Sequence, residues 1–147
     1  MIDAVTCQLL QNVLSRESRS LLQYVGDSFP WVTPEEPELL ATLENIIAEE
    51  RQVLTQLGRW LTRQRCTIPP LPPFPLSYTS VNNTELKFVV PLLITEQRQS
   101  LERLRKVQNQ LKNEEARSEL QQLIDIKQRH LHQLETLPSA HAEPAAT

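Results

Sequence analysis

The stretch TIPPLPPFPLSYTSVNN, residues 67–83, constrains the fold more than any other part of the chain. Its prolines, at 69, 70, 72, 73 and 75, lack the N–H that a helix needs and fix φ, so the segment runs extended. Long segments rich in Leu, Gln, Glu and Arg flank it on both sides. Neighbouring antiparallel helices need only roughly 2–8 residues between them. Extended chain covers about 3.1 Å per residue, which gives this connection a reach of roughly 50 Å. A helix over residues 34–65, rising about 1.5 Å per residue, is roughly 45 Å long. The connection is therefore a long crossover. It travels the length of the second helix and starts the third at the far end.

Around that crossover the spacing predicts four helices, over about residues 3–25, 34–65, 84–112 and 114–137, with the crossover at 66–83. Gly26 is the expected C-cap of the first helix. Thr33-Pro34-Glu35-Glu36 supplies an N-cap, a first-turn proline and a capping-box glutamate for the second. Thr84 is the N-cap candidate of the third, and Pro91 either kinks that helix or marks its true start. Asn113 caps the fourth. Two glycines in 147 residues leave few turns with positive φ, as suits an all-α bundle. Residues 1–137 are expected to form one domain, and residues 138–147, PSAHAEPAAT, a disordered tail.

Several classes are disfavoured at once. A formal net charge of −3 offers no basic footprint for nucleic acid. No apolar run reaches spanning length, so no membrane partner is expected. Asp3, with no basic residue before Arg16, argues against a secretory signal. Cys7 and Cys66, without a CxxC, are read as neither a zinc site nor a disulfide, and imply a reduced, cytoplasmic setting. Nucleophile elbows, P-loops and glycine-rich fingerprints are absent, which leans against an enzyme.

The informative pattern is a repeated interruption. In LLQNVLSRESRSLLQY, Leu10, Leu14, Leu21 and Tyr24 form a helical seam, and Glu17 completes it. The second seam reads Leu39, Leu43, Ile46, Glu50, Val53, Leu57, Trp60. The third reads Leu86, Val89, Leu93, Glu96, Ser100, Leu104, Val107, Leu111, although a small rotation would turn Gln97 inward instead. The fourth reads Ala116, Leu120, Leu123, Lys127, His130, Leu134, Leu137. A buried lone charge is costly unless it is paired or metal-bound. Glu17 and Glu50 lie about equally far from the first turn, and Glu96 and Lys127 from the second, roughly 24 Å in each case. All of these polar groups therefore fall at mid-height.

This arrangement resembles the ferritin-like superfamily of rubrerythrins and bacterioferritins. The resemblance rests on two helical hairpins, a long crossover and mid-helix carboxylates, and covers about residues 3–137. It implies a di-iron pattern of one Glu from each of two helices and a Glu-x-x-His from each of the other two. Glu17 and Glu96 match the lone glutamates. Glu50 matches the third, but Val53 stands where its histidine belongs. In the fourth helix His130 is kept and Lys127 replaces the glutamate.

Three readings follow. In the first, the bundle has lost its metal, and Lys127 pairs with Glu17, Glu50 and Glu96 beside His130 in a structural or interaction protein with no cofactor. In the second, Glu17, Glu50, Glu96 and His130 hold iron, manganese or zinc, with oxygen or peroxide chemistry as the implied activity. In the third, the chain is a plain helical adaptor with exposed polar residues. Apolar residues beside the seams fit a closed monomeric core or a helix-paired dimer equally, so the expected partner is a second copy (a homodimer) or an unidentified protein. Arg16, Arg19, Arg98, Arg103 and Arg105 read as solvated faces, with a phosphate site as the alternative.

Overall fold

The computed structural model describes residues 1–28, 36–82 and 84–142. It is all-helical, with α1 (Ala4–Ser18), α2 (Leu21–Ser28), α3 (Pro37–Arg63), α4 (Leu86–Gln110) and α5 (Glu114–Glu135). Short 3-10 helices, Leu76–Val81 and Pro138–His141, precede α4 and follow α5. Among the described residues, no helix is long and apolar enough to cross a membrane.

The single first helix expected over 3–25 is two helices. Asp3 caps α1, its side chain accepting the Thr6 N–H at 2.7 Å. The helix stops at Ser18, and Ser20 begins another by accepting the Gln23 N–H at 3.3 Å. That contact is the usual serine N-cap. Gly26 is not a C-cap. It lies inside α2 without a positive φ, where a Cβ would come 2.9 Å from Ile47 Cγ2. Close approach to α3, not backbone freedom, uses the glycine.

Pro37 opens α3 in the first turn, where a missing N–H leaves no bond unmade. Of the expected start signal, Thr33 to Glu35 lie outside the described residues, and Glu36 is not a capping-box glutamate inside the helix but the residue before it, with no side-chain cap bond. At the other end Arg65 adopts a left-handed φ of 62°, and the Cys66 N–H reaches back to the Leu61 carbonyl at 2.9 Å. This is a Schellman closure with arginine where glycine is usual. It delivers Cys66 to Cys7, and the two form a disulfide with Cα atoms 6.0 Å apart. The expectation of two free thiols is thus overturned, and with it the thiol argument for a reduced setting.

From there the connection climbs along α1 and α2. Gln11 donates to the Thr67 carbonyl, and Arg19 Nε donates to the Pro72 carbonyl at 2.6 Å. Tyr24 packs against Phe74 and Tyr78, with ring centroids 5.3 and 5.7 Å away.

Side-chain pairings fix the helix directions. Cys66 meets Cys7 while Arg51 meets Gln23, so α3 runs antiparallel to α1 and α2. Ser100 meets Glu17 while Glu96 meets Leu21, so α4 runs antiparallel to α1. Trp60 donates to Glu115 at 2.9 Å and Lys127 to Glu50 at 2.8 Å, so α5 opposes α3. Arg98 pairs with Glu135 and Gln108 with Gln121, so α5 also opposes α4. Both α3 and α4 oppose α5 and so point the same way. A tight turn cannot join two helices that point the same way, which is why the chain needs residues 64–85 between them.

Pro91 sits within α4, which begins at Leu86 instead of near Thr84. Asn113 caps α5 by accepting the Ala116 N–H at 2.9 Å. The chain after 137 is not wholly a disordered tail: Pro138–His141 is helical and Ala140 is buried. Residues 143–147 lie outside the described residues. Leucines, isoleucines and valines from all five helices make one continuous core.

A buried ion network as the candidate functional site

Each polar group at the centre arrives on an apolar seam. Glu17 lies in the last turn of α1, Glu50 midway along α3, Gln97 and Ser100 on α4, and Lys127 and His130 on α5. All six are buried, and Lys127 is only 1 % exposed. The spacing that places a leucine on the core face places these residues there too.

Lys127 is the hub. Its Nζ donates to Glu50 Oε1 at 2.8 Å and lies 3.6 Å from Glu17 Oε1. The second Glu50 oxygen, Oε2, accepts from Gln97 Nε2 at 2.7 Å and is 2.8 Å from His130 Nδ1. Gln97 Nε2 also approaches the Lys127 carbonyl at 3.4 Å. Ser100 donates its hydroxyl to Glu17. With Nδ1 directed at a carboxylate, that nitrogen carries the ring hydrogen. His130 Nε2 has no hydrogen-bond partner among the described residues and faces Glu49 Oε2 at 3.6 Å.

Two opposing effects set the charges. Burial alone would raise the Glu50 pKa. The Lys127 ammonium, with hydrogen bonds from His130, Lys127 and Gln97, outweighs burial and holds it at about 2. Burial likewise works against a charged Lys127, but the Glu50 and Glu17 carboxylates push its pKa above the ordinary lysine value. The two partners agree in direction: carboxylate and ammonium are both ionised at neutral pH.

Glu96 is not a first neighbour of the lysine. It turns to the break between α1 and α2, where one carboxylate oxygen accepts the Leu21 N–H at 2.8 Å. The inward position on α4 belongs to Gln97. Glu96 is half-buried, and burial raises its pKa despite that hydrogen bond. A second buried amide, Gln23, bridges α2 to α3 through the Ile47 carbonyl and Arg51. Sequence reading did not single out Gln23, although its place three residues after Ser20 completes an S-x-x-Q capping signal.

The donor set does not fit the two irons that the resemblance implies. Val53 provides no ligand beside Glu50, and Glu96 faces elsewhere. The ammonium of Lys127 fills the space between Glu17 and Glu50, and all three donors to Glu50 are already in place. Among the described residues, no group of three or more His, Cys, Asp or Glu side chains is arranged to hold a metal ion. What the cluster does chemically is hold two carboxylates in an apolar core by direct ion pairing. Comparisons with protein-family models, with curated proteins and with solved structures give no match.

Proposed function

We propose that this chain is a ferritin-like four-helix bundle, two antiparallel hairpins joined by a Pro-rich crossover, in which a buried Glu/Lys/His network takes the place of a di-iron centre. On this reading it is a structural or interaction module and not a redox enzyme. The observation that carries the reading is the Lys127 ammonium, 2.8 Å from Glu50 and 3.6 Å from Glu17. Bridging carboxylates need a cation, and here a side chain supplies it. The parallel placement of α3 and α4 and the crossover strapped along α1 support the topology.

The test is metal loading. The purified protein is incubated with iron(II) or manganese(II), desalted and subjected to elemental analysis, with metal-edge anomalous scattering on crystals. The expected result is far less than one metal per chain and no anomalous peak between Glu17 and Glu50. A retained metal at that position would overturn the proposal and restore the oxygen or peroxide chemistry of the related bundles.

A further inference from the structure

A cavity of about 680 Å³ opens between the end of α1, the middle of α4 and the crossover. Three arginines line it, Arg16, Arg19 and Arg103, against a single carboxylate, Glu96. Three positive groups against one negative leave a net of +2, in a chain whose formal net charge is −3. Cationic charge is therefore concentrated here against the trend of the molecule.

Among the described residues none of these three arginines forms an ion pair, as is also true of several arginines elsewhere on the surface. Arg103 Nε is buried and has no hydrogen-bond partner among the described residues. A buried donor left unmade is costly, so this N–H is available to an acceptor oxygen. Arg19 is held in place by the Pro72 carbonyl and by stacking 4.6 Å over the Phe74 ring. Both contacts fix its guanidinium plane at the cavity wall.

The rest of the lining is of two kinds. Pro72, Pro73, Pro75 and Leu92 give apolar walls, and Leu92 is 49 % exposed at the rim. Tyr78 and several serines give neutral polar lining. Cavities of this size and mixture take small molecules, with roughly 300–1,000 Å³ typical. Guanidinium forks match carboxylate and phosphate oxygens two at a time.

We infer that this cavity is a binding site for a small organic anion, a carboxylate or phosphate ester with an apolar body, held by Arg16, Arg19 and Arg103. This goes beyond the structural reading of the buried network and does not depend on it. Arg16 and Arg103 also line a cavity of about 130 Å³ that reaches Glu17, so the anion site borders the network.

Fluorescence titration with 8-anilinonaphthalene-1-sulfonate, an anion with an apolar aromatic body, tests the inference on the full chain. Expected is saturable 1:1 binding that weakens as sodium chloride rises and is displaced by inorganic pyrophosphate. Arg103→Gln and Arg16→Gln should each weaken binding about tenfold, corresponding to the loss of about one charge-assisted contact. Leu92→Glu, which adds a carboxylate at the rim without touching a guanidinium, should weaken it similarly. Arg63→Gln at the end of α3 serves as the control and should change nothing. Arg16 is exposed, so its variant reports even if Arg103→Gln fails to fold. Absence of saturable binding, or equal affinity in wild type, Arg16→Gln and Leu92→Glu, overturns the inference.

Discussion

The backbone N–H of Leu21 donates to the Glu96 carboxylate, 2.8 Å away and 75 residues distant in sequence. The bond closes the gap at Arg19 and Ser20, because a helix beginning at Leu21 has a free first N–H that needs an acceptor. It also explains why Glu96 is not with Lys127. A carboxylate at a helix N-terminus is stabilised by the free N–H groups and the helix dipole. Glu96→Ala should therefore cost about 1 kcal/mol in urea denaturation, the range for a lost cap, and Glu96→Gln should cost less. An unchanged midpoint for Glu96→Ala would mean that water serves Leu21 equally well.

Lys127→Met should be the more damaging change. It leaves Glu50 and Glu17 buried without their cation, and removing one member of a buried pair costs roughly 3–5 kcal/mol. Adding Glu50→Gln should recover part of that loss, because the uncompensated carboxylate disappears. A double-mutant cycle on thermal or urea stability measures the coupling directly. Strict additivity of the two changes would show that these residues do not interact.

Acid stability should carry the signature of Glu50. Its folded-state pKa is about 2, below the ordinary value of 4.5, so the folded protein binds fewer protons than the unfolded chain between those values. The stability it contributes is whole above about pH 4.5 and is lost as pH falls towards 2. At about 1.36 kcal/mol per pKa unit the loss is about 3 kcal/mol. Urea titrations at pH 5.5 and pH 2 should show a correspondingly smaller acid loss in Glu50→Gln than in wild type.

How much of this was legible in the sequence depended on how far each feature is encoded locally. Glu17, Glu50, Lys127 and His130 sit at helical spacing among leucines, so their faces can be read directly. Glu96 and Gln97 differ by one residue, about 100° around the helix, on a stripe broad enough for either to point inward. Only contact with α2 and α3 decides between them. The break after Ser18 carried a signal in Ser20 and Gln23, but the helical spacing that runs on from Leu14 through Glu17 to Leu21 masked the signal. The meeting of Cys7 with Cys66 had no local signature. It follows from where α3 ends relative to α1, which is set by packing across the whole hairpin.

Cutting the Cys7–Cys66 bond should loosen the strap along α1. The residues are 59 apart in sequence, and closing a loop of this size stabilises by about 2–4 kcal/mol. Cys66→Ser, or wild type in dithiothreitol, should lower the urea midpoint accordingly, with the two treatments not additive. An unchanged midpoint under both treatments would show that this bond adds nothing to stability.

Gly58 offers a change in the opposite direction. It lies within α3, and a Cβ there would meet only Leu14 Cδ2, at an ordinary 3.6 Å. Gly58→Ala should stabilise the protein by about 0.5–1 kcal/mol through lower chain entropy in the unfolded state. A destabilised variant would indicate that α1 and α3 pack more tightly than this contact implies.

The central network also divides its charges between the two halves of the chain. Among the described residues, every donor to Glu17 and Glu50 within it comes from α4 or α5: Ser100, Gln97, Lys127 and His130. The first half of the chain therefore presents acids on its apolar face and the second half presents the matching base. Two copies of the first half would bury four carboxylates with no cation between them. Two copies of the second would bring ammonium groups together. Each half is satisfied only by the other, so the charges at mid-height select against like-with-like pairing while the apolar seams alone would permit it.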